Sequence, residues 1–294
     1  MTELLESVLR GLGIGSVYAL LALGFVIIFK ATRVISFAQP ALMLAGVVMV
    51  TYLVKWVGFW AALPIAAVLT GLLGLIVERL AVRPMVGRPA FAVAIITLGL
   101  DVTLRVIVNA FIGLDVRHVD DPWGLRTVSI GGVDVQLRHL AALLVTGVLV
   151  AALFAFFRYT RMGLAMRAAA YDQEAALAQG VSVGAVFALA WALAGGLAAV
   201  GGTFAATGGS VDAASWLIAL TALPVIILGG LDSLPGAVIG GLSVGVLQEL
   251  AANYQNHAPW LGGNVSVITP YVVMLIVLLV RPYGLFGTRE VERV

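Results

Sequence analysis

Uninterrupted apolar segments constrain this chain more than any other feature of its sequence. About 20 apolar residues span the hydrocarbon core of a bilayer, which is about 30 Å thick. Nine such segments lie near residues 8–29, 34–54, 57–77, 90–112, 139–157, 183–208, 215–231, 236–252 and 267–281. The sequence therefore predicts one all-α domain over residues 1–294, a polytopic transmembrane helical bundle with eight or nine membrane segments in a lipid bilayer, some broken or re-entrant.

Composition argues against several classes of function. Hydrophobic residues make up 62% of the chain and charged residues 11%, so a soluble globule could not cover its surface with polar groups. The net charge is +2 and no basic run is present, so we expect no nucleic-acid binding. The chain has no cysteine, and its three histidines lack helical metal-site spacing. We expect no metal site, no catalytic residues and no enzymatic activity.

The basic residues predict the orientation, because short loops rich in Lys and Arg stay in the cytoplasm. Alternate assignment of the loops places most of the 17 Lys and Arg residues on the side of the C-terminus. We therefore expect a cytoplasmic C-terminus and, with nine crossings, an extracytoplasmic N-terminus, which a re-entrant segment would reverse. The long loop 158–182 is then cytoplasmic and the long loop 113–138 extracytoplasmic.

The outer loop contains a predicted hairpin, in which residues 128–130 and 133–135 alternate around Gly131-Gly132. It could act as a docking surface, a lid or a solvated connector.

Two predicted segments are interpreted as carrying a proline in mid-span, Pro40 in the second and Pro224 in the seventh. Each would remove a helical hydrogen bond in a medium that cannot replace it. One interpretation is a kink satisfied by neighbouring helices. The other is a broken helix that lines a polar path through the membrane.

Glycines spaced four apart predict close helix packing, because they leave one helix face without side chains. They indicate a tightly packed bundle and carry no information about a substrate. The pairs are Gly11 and Gly15, Gly180 and Gly184, Gly236 and Gly240, and Gly241 and Gly245.

Charged residues inside membrane segments are functional candidates because their burial is costly. Asp101 and Arg105 are four residues apart in the fourth segment and can pair on one helix face. A structural ion pair is favoured over a gate or a substrate contact.

The inner loop contains an alanine-rich stretch, residues 166–180, that predicts one helix of about three turns, with Gly180 at its C-terminal end. It is too short and too polar to span a membrane. We favour a helix that docks a soluble partner over an amphipathic helix lying on lipid headgroups, since it has no lysine.

Neither of the chain's two lysines follows a glycine, so the chain has no P-loop. Any ATP must be hydrolysed by another chain.

With the inner loop, the sequence resembles the permease subunits of branched-chain amino acid ABC importers, in particular the H-type membrane subunit of leucine, isoleucine and valine uptake. The resemblance covers nearly the whole chain and is carried by the order and spacing of several motifs. They are Gly15-Ser16-Val17-Tyr18-Ala19-Leu20, Ser36-Phe37-Ala38, Thr97-Leu98-Gly99, residues 158–180, Leu228-Gly229-Gly230-Leu231-Asp232-Ser233-Leu234-Pro235-Gly236-Ala237 and Arg281-Pro282-Tyr283-Gly284-Leu285-Phe286-Gly287.

The resemblance implies a multi-pass subunit of a bacterial inner membrane that imports branched-chain or related amino acids by alternating access. It also implies a sibling permease, two ABC ATPase subunits that bind ATP and Mg, and an extracytoplasmic solute-binding protein, with no cofactor in this chain. The residues expected to engage the ATPases are Arg167, Asp172, Glu174, Ala175, Ala176 and Gly180.

The translocation path is expected near the broken segments. The candidate residues are Phe37, Gln39, Pro40, Thr97, Asp101, Arg105 and Pro224. Members of the family commonly continue the Phe-Ala pair with His-Gly-Glu, whereas this chain has Gln39-Pro40-Ala41. This departure leaves the alternative of an ABC permease for urea or short amides. Two further alternatives are a self-sufficient small-solute channel and a membrane scaffold that transports nothing.

Overall fold

A computed structural model describes residues 2–85, 88–113, 117–130, 132–255 and 264–288 of the chain. The architecture is helical almost throughout. The α-helices are α1 (Thr2–Thr32), α2 (Gln39–Val57), α3 (Phe59–Val77), α4 (Ala90–Ile112), α5 (Leu137–Tyr159), α6 (Arg161–Tyr171), α7 (Gln173–Ala178), α8 (Val183–Ala206), α9 (Leu217–Leu220), α10 (Ala222–Gly229), α11 (Leu234–Tyr254) and α12 (Val265–Val280). A π-helical turn, Glu78–Val82, and a 3₁₀ turn, Arg83–Met85, continue α3.

Each of the nine predicted segments coincides with helical structure. Within the described residues, seven helices are long and apolar enough to cross a membrane, namely α1 to α5, α8 and α11. The other two segments form shorter apolar helices, α9 with α10 and α12 alone. The predicted polytopic helical bundle is therefore confirmed.

Helix α1 lies at the centre of the bundle, where residues 15–28 are all buried. Two of the predicted glycine pairs bring α1 and α11 into close contact. A Cβ on Gly15 would lie 2.7 Å from the Gly241 carbonyl oxygen, and one on Gly11 would lie 2.6 Å from the Val246 Cα. The missing side chains therefore let the two backbones touch, as predicted for membrane helices.

The surface of the bundle is apolar. Phe91 and Val106 on α4 are 76% and 65% exposed, and Leu144 on α5 is 67% exposed. Large exposed apolar side chains spread over helices of this length indicate a surface that faces lipid.

Only one of the two prolines, Pro224, lies beside a break within its predicted segment. Pro40 lies in the first turn of α2, where a missing N–H costs nothing because that N–H has no partner within the helix. The mid-helix break predicted at Pro40 is therefore wrong, and the non-helical stretch is residues 33–38, before α2. The seventh segment is broken at Thr221, three residues before Pro224. Proline has no N–H, so Pro224 cannot donate a hydrogen bond to the carbonyl four residues earlier.

Two other helices, α3 and α12, do contain interior prolines, at Pro64 and Pro270. Sequence analysis did not single these out, because both lie in the first two turns of apolar segments without another polar signal.

One end of the bundle carries four short strands, and we call it the strand-bearing end. They are β1 (Arg117–His118), β2 (Thr127–Ile130), β3 (Val133–Gln136) and β4 (Ser210–Val211). Strands β2 and β3 form the predicted antiparallel hairpin, although Gly131 in its turn lies outside the described residues. Strand β1 pairs with β4, which ties the outer loop to the chain that follows α8.

Aromatic rings hold the outer loop against the helices. The Trp123 ring stacks on that of Phe204 at the end of α8, with 5.8 Å between centroids, and meets the Phe59 ring of α3 at 5.0 Å. The described part of this loop is thus packed onto the bundle.

Helices α6 and α7 lie at the opposite end, which we call the coupling end. The prediction of one continuous helix is wrong, because the helix stops at Asp172 and restarts. The Asp172 carboxylate accepts a hydrogen bond from the Ala175 N–H at 2.9 Å, and aspartate favours such a cap over a helix interior. Gly180 ends α7 with a φ of 80°, as predicted, and so cannot share a helix face with Gly184 of α8.

Candidate functional site

Helix α2 begins deep inside the bundle. Residues 39–48 are all buried, and the first turn of α2 contacts the midpoints of α4 and α8 through Asp101 and Ala194. Residues 33–38 lead into this point without helical structure. A helix that starts at this depth exposes backbone N–H groups where lipid cannot satisfy them.

Asp101 of α4 satisfies one of these groups. Its side chain is 6% exposed, and its Oδ1 accepts a hydrogen bond from the Ala41 N–H at 3.0 Å. The residue before α2, Ala38, has no side-chain oxygen to form a cap. A carboxylate from another helix therefore caps α2, and its negative charge lies at the positive end of the α2 dipole.

Arg105 balances the charge of Asp101. The Asp101 Oδ2 accepts hydrogen bonds from the Arg105 Nε at 2.8 Å and Nη2 at 2.6 Å. The Arg105 guanidinium also lies 3.8 Å from the ring centroid of Trp216, a cation–π contact. The predicted ion pair is thus present, and Arg105 also contacts Trp216, the residue that precedes α9.

Thr97 lies one turn before Asp101 on α4 and is 1% exposed. Its hydroxyl oxygen accepts a hydrogen bond from the Phe37 N–H at 3.1 Å and donates one to the Ala94 carbonyl at 2.9 Å. Thr97 and Asp101 together satisfy two N–H groups on either side of the start of α2.

Gln39 is fully buried at the same level. Its Nε2 donates a hydrogen bond to the Ala194 carbonyl of α8 at 3.2 Å, and it lies against Gly24 of α1, where a Cβ would overlap it. Its Oε1 has no hydrogen-bond partner among the described residues. A buried carbonyl oxygen without a partner is costly to maintain in a folded protein.

These contacts define the α2–α4 cluster, which consists of Gln39, Thr97, Asp101, Arg105 and Trp216. The structure brings together six of the seven predicted path residues, since Phe37 and Pro40 flank Gln39. Pro224 is separate and lies in α10, which packs against α1, α11 and α12. Trp216 was missed because it lies over 100 residues from Arg105 and gave no pattern of its own.

The residues predicted to engage an ATPase lie on α6, α7 and the turn after them. Arg167, Glu174, Ala175 and Gly180 are exposed, and Ala176 is buried. Asp172 caps α7. Large apolar side chains accompany them at this end, with Tyr171 93%, Leu164 59% and Leu177 57% exposed.

Two hydrogen bonds join these helices to the end of α1. The Arg33 Nη2 donates to the Ala170 carbonyl of α6 at 2.5 Å, and the Gln173 Nε2 donates to the Ala31 carbonyl at 3.0 Å. Arg33 begins the non-helical stretch that leads to Gln39, and its φ is 58°. Sequence analysis missed both donors because side-chain to backbone bonds over more than 130 residues leave no periodic signal.

Besides Asp101, the structure contains another buried carboxylate, which lies at the coupling end and which sequence analysis missed. Glu78 is fully buried in the π-helical turn after α3 and pairs with Arg83, with 3.1 Å between Oε1 and Nε. The Arg83 Nη2 also donates to the Gly184 carbonyl at the start of α8 at 2.9 Å. This pair joins α3 to the exit of the inner loop.

In the part of the chain that the structure describes, no three His, Asp or Glu side chains come close enough to hold a metal ion. The polar groups of the site are thus hydrogen-bond donors, acceptors and one ion pair, which can bind and orient a polar solute.

Comparison with known proteins matches residues 7–280 to the family described as the permease component of branched-chain amino acid transport systems. LivH, the high-affinity branched-chain amino acid transport system permease protein of Escherichia coli K12, is 28% identical over 99% of this chain and 97% of its own. BraD of Pseudomonas aeruginosa, which has the same description, is 27% identical over 99% of this chain and 98% of its own. A probable LivH of Methanocaldococcus jannaschii is 29% identical over 91% and 88%.

Among solved structures, PsaBC from Streptococcus pneumoniae in complex with Fab is similar in fold. The TM-score is 0.52 with 15% sequence identity, and the similarity covers 95% of this chain and 91% of the other. At this identity the likeness concerns the fold alone.

Proposed function

The chain belongs to the family of branched-chain amino acid transport permeases, the membrane components of ABC importers, and from that premise we propose that it moves a branched-chain or related amino acid inward by alternating access. It is a multi-pass membrane protein and a transport subunit. The bacterial inner membrane is the proposed location.

One observation supports this proposal most directly: residues 33–38 are held by hydrogen bonds to neighbouring helices near both of their ends. At the coupling end Arg33 bonds this stretch to α6, and Gln173 of α7 bonds the Ala31 carbonyl at the end of α1, just before it. At its other end the Phe37 N–H donates to Thr97, and the Ala41 N–H in the first turn of α2 donates to Asp101. A displacement of α6 and α7 is therefore transmitted to the α2–α4 cluster, which is the proposed point of alternating access.

The exposed surface of α6 and α7 is the proposed docking site for an ATPase. Tyr171, Leu164 and Leu177 offer apolar contacts, and the exposed Glu174 adds a charge. Apolar side chains with a few charges are typical of protein interfaces. ATP and Mg would be bound by two ATPase subunits, and the assembly would include a sibling permease.

The coupling end is the proposed cytoplasmic side, where most of the basic residues lie. The C-terminus is then cytoplasmic, the N-terminus extracytoplasmic, and the hairpin of β2 and β3 faces a solute-binding protein. Val128 on this hairpin is 40% exposed, and the native chain has no cysteine. V128C should react with an impermeant maleimide added from outside intact cells, and labelling only after lysis would contradict the orientation.

The function itself is tested by purifying the tagged chain from its native membrane in mild detergent and identifying the bound chains. Two ATPase copies with a second permease, and ATP-dependent uptake of leucine after reconstitution, are the expected results. Uptake of urea or acetamide instead of leucine would favour the amide permease that the Gln39-Pro40-Ala41 sequence keeps open. A homo-oligomer that passes solute without ATP would favour a channel.

A further inference from the structure

The strand-bearing end contains a cavity that is separate from the α2–α4 cluster. Its volume is about 340 Å³, within the range of pockets that hold small molecules. It lies between the first half of α1, the first turns of α5, the end of α8 and α9. Two kinds of lining meet in it, a polar wall from the start of α5 and an apolar wall from α1, α8, α9 and Ala142 of α5.

The polar wall consists of Arg138 and His139 at the start of α5. The Arg138 Nη1 donates one hydrogen bond, to the Thr207 carbonyl at 3.3 Å. Within the described residues no carboxylate lies within 4.0 Å of either side chain, although Arg10, Arg83 and Arg105 each have one. Arg138 therefore offers most of its five donors to an anion in the cavity.

Two glycines make room for this wall. Gly208 has a φ of 72°, and a Cβ there would overlap the Arg138 guanidinium. A Cβ on Gly13 would lie 2.5 Å from the His139 Cβ. Any side chain at Gly208 would be strained and would displace the guanidinium, so the local backbone accommodates the position of Arg138.

The apolar wall suits an aliphatic side chain. It is formed by Ile14, Val17, Ala142, Phe204 and Ile218. A cavity with a guanidinium on one side and aliphatic surface on the other matches the carboxylate and the side chain of an aliphatic amino acid, since a carboxylate can accept two parallel hydrogen bonds from an arginine. An inorganic anion would leave the apolar wall without contacts.

Helix α9 and the residue before it, Trp216, connect the cavity to the α2–α4 cluster. Ile218 lines the cavity, and Trp216, two residues earlier, covers Arg105. Helix α9 is the four-residue helix before the break at Thr221. A solute in the cavity would therefore contact the same short helix that contacts the cluster.

We propose that this cavity binds the carboxylate of an aliphatic amino acid at Arg138, as a waiting site between the strand-bearing end and the α2–α4 cluster. The assignment rests on the proposed function for the direction of transport. The binding itself needs neither ATP nor the ATPase subunits.

Because the native chain has no cysteine, site-directed labelling can test this site. A205C places a thiol on the cavity wall, and its rate of reaction with a maleimide is measured in the purified complex in lipid nanodiscs without ATP. We expect L-leucine and 4-methylpentanoate to slow labelling several-fold, and L-leucinamide, which lacks the carboxylate, to leave it unchanged. Adding R138Q should raise the half-protecting leucine concentration by roughly tenfold or more.

The matched control is R126Q, which removes an exposed arginine of the outer loop before α5 and should leave protection unchanged. If A205C does not fold, I218C reports from the opposite wall. Three results would each overturn the assignment. Leucine could fail to slow labelling, R138Q could leave the protection intact, or phosphatidylglycerol could protect in place of leucine. Uptake that fails while leucine still protects would count against the proposed function and not against the site.

Discussion

Helices α2 and α11 begin in similar sequences and are held in different ways. Both carry a proline in the first turn, Pro40 and Pro235. Helix α11 is capped by the preceding residue, since the Ser233 hydroxyl accepts a hydrogen bond from the Gly236 N–H at 3.0 Å. Helix α2 is capped by Asp101 from α4, which lies 60 residues away in sequence.

The difference shows which helix start is free to respond to a neighbour. The cap of α11 moves with its own chain, so it persists whatever the surrounding helices do. The cap of α2 breaks when α2 and α4 separate, because the acceptor belongs to α4. The start of α2 thus depends on a neighbouring helix in a way that the start of α11 does not, and we propose it as the element that changes between the two states of alternating access.

The largest expected effect comes from Asp101. D101A removes the cap and leaves the half-buried Arg105 without its partner, which costs roughly 3 kcal/mol. We expect little folded protein and no uptake. D101N keeps an acceptor for the Ala41 N–H and should be milder, as measured by the thermal unfolding midpoint in detergent.

The double variant D101N/R105Q separates structure from transport. If the ion pair is structural, the double variant should be more stable than either single variant, since a lone buried charge is worse than none. Equal loss of uptake in both singles and the double, at normal expression, would instead show that the charges act directly on the solute.

A smaller effect is expected at Thr97. T97V leaves the Phe37 N–H without an acceptor at a buried position, which costs about 1 kcal/mol. The unfolding midpoint and the uptake rate should both fall, whereas T97S, which keeps the hydroxyl, should match the native chain. A T97V protein with native uptake would contradict a role for this contact in holding α2.

The smallest effect is expected at Ser233. S233A removes a local cap worth about 1 kcal/mol and lowers the unfolding midpoint slightly. Uptake per folded complex should not change, because this helix start does not depend on a neighbour. A loss of uptake as large as that of T97V would remove the contrast between α2 and α11.

The sequence was sufficient to predict what depends on local pattern. Nine apolar segments, the hairpin of β2 and β3 and the C-terminal Gly180 follow from hydropathy and turn chemistry. The i, i+4 spacing of Asp101 and Arg105 was also sufficient to predict their ion pair.

Contacts between distant elements could not be predicted. The cap of α2 by Asp101, the stacking of Trp216 on Arg105 and the bonds from Arg33 and Gln173 each join elements far apart in sequence. The position of Pro40 was mistaken because hydropathy does not mark where a helix begins within an apolar stretch. The break at Asp172 was missed because alanine propensity outweighed the capping signal of a single aspartate.

The central claim is that α6 and α7 act on α2 through the Arg33 and Gln173 hydrogen bonds. The most direct test measures leucine uptake per ATP hydrolysed in the reconstituted importer for R33Q and Q173A, with Q179A as a control on the same loop. We predict that the ratio falls several-fold in R33Q and Q173A and stays native in Q179A, with the ATPase subunits still bound. A native ratio in both R33Q and Q173A would contradict the account.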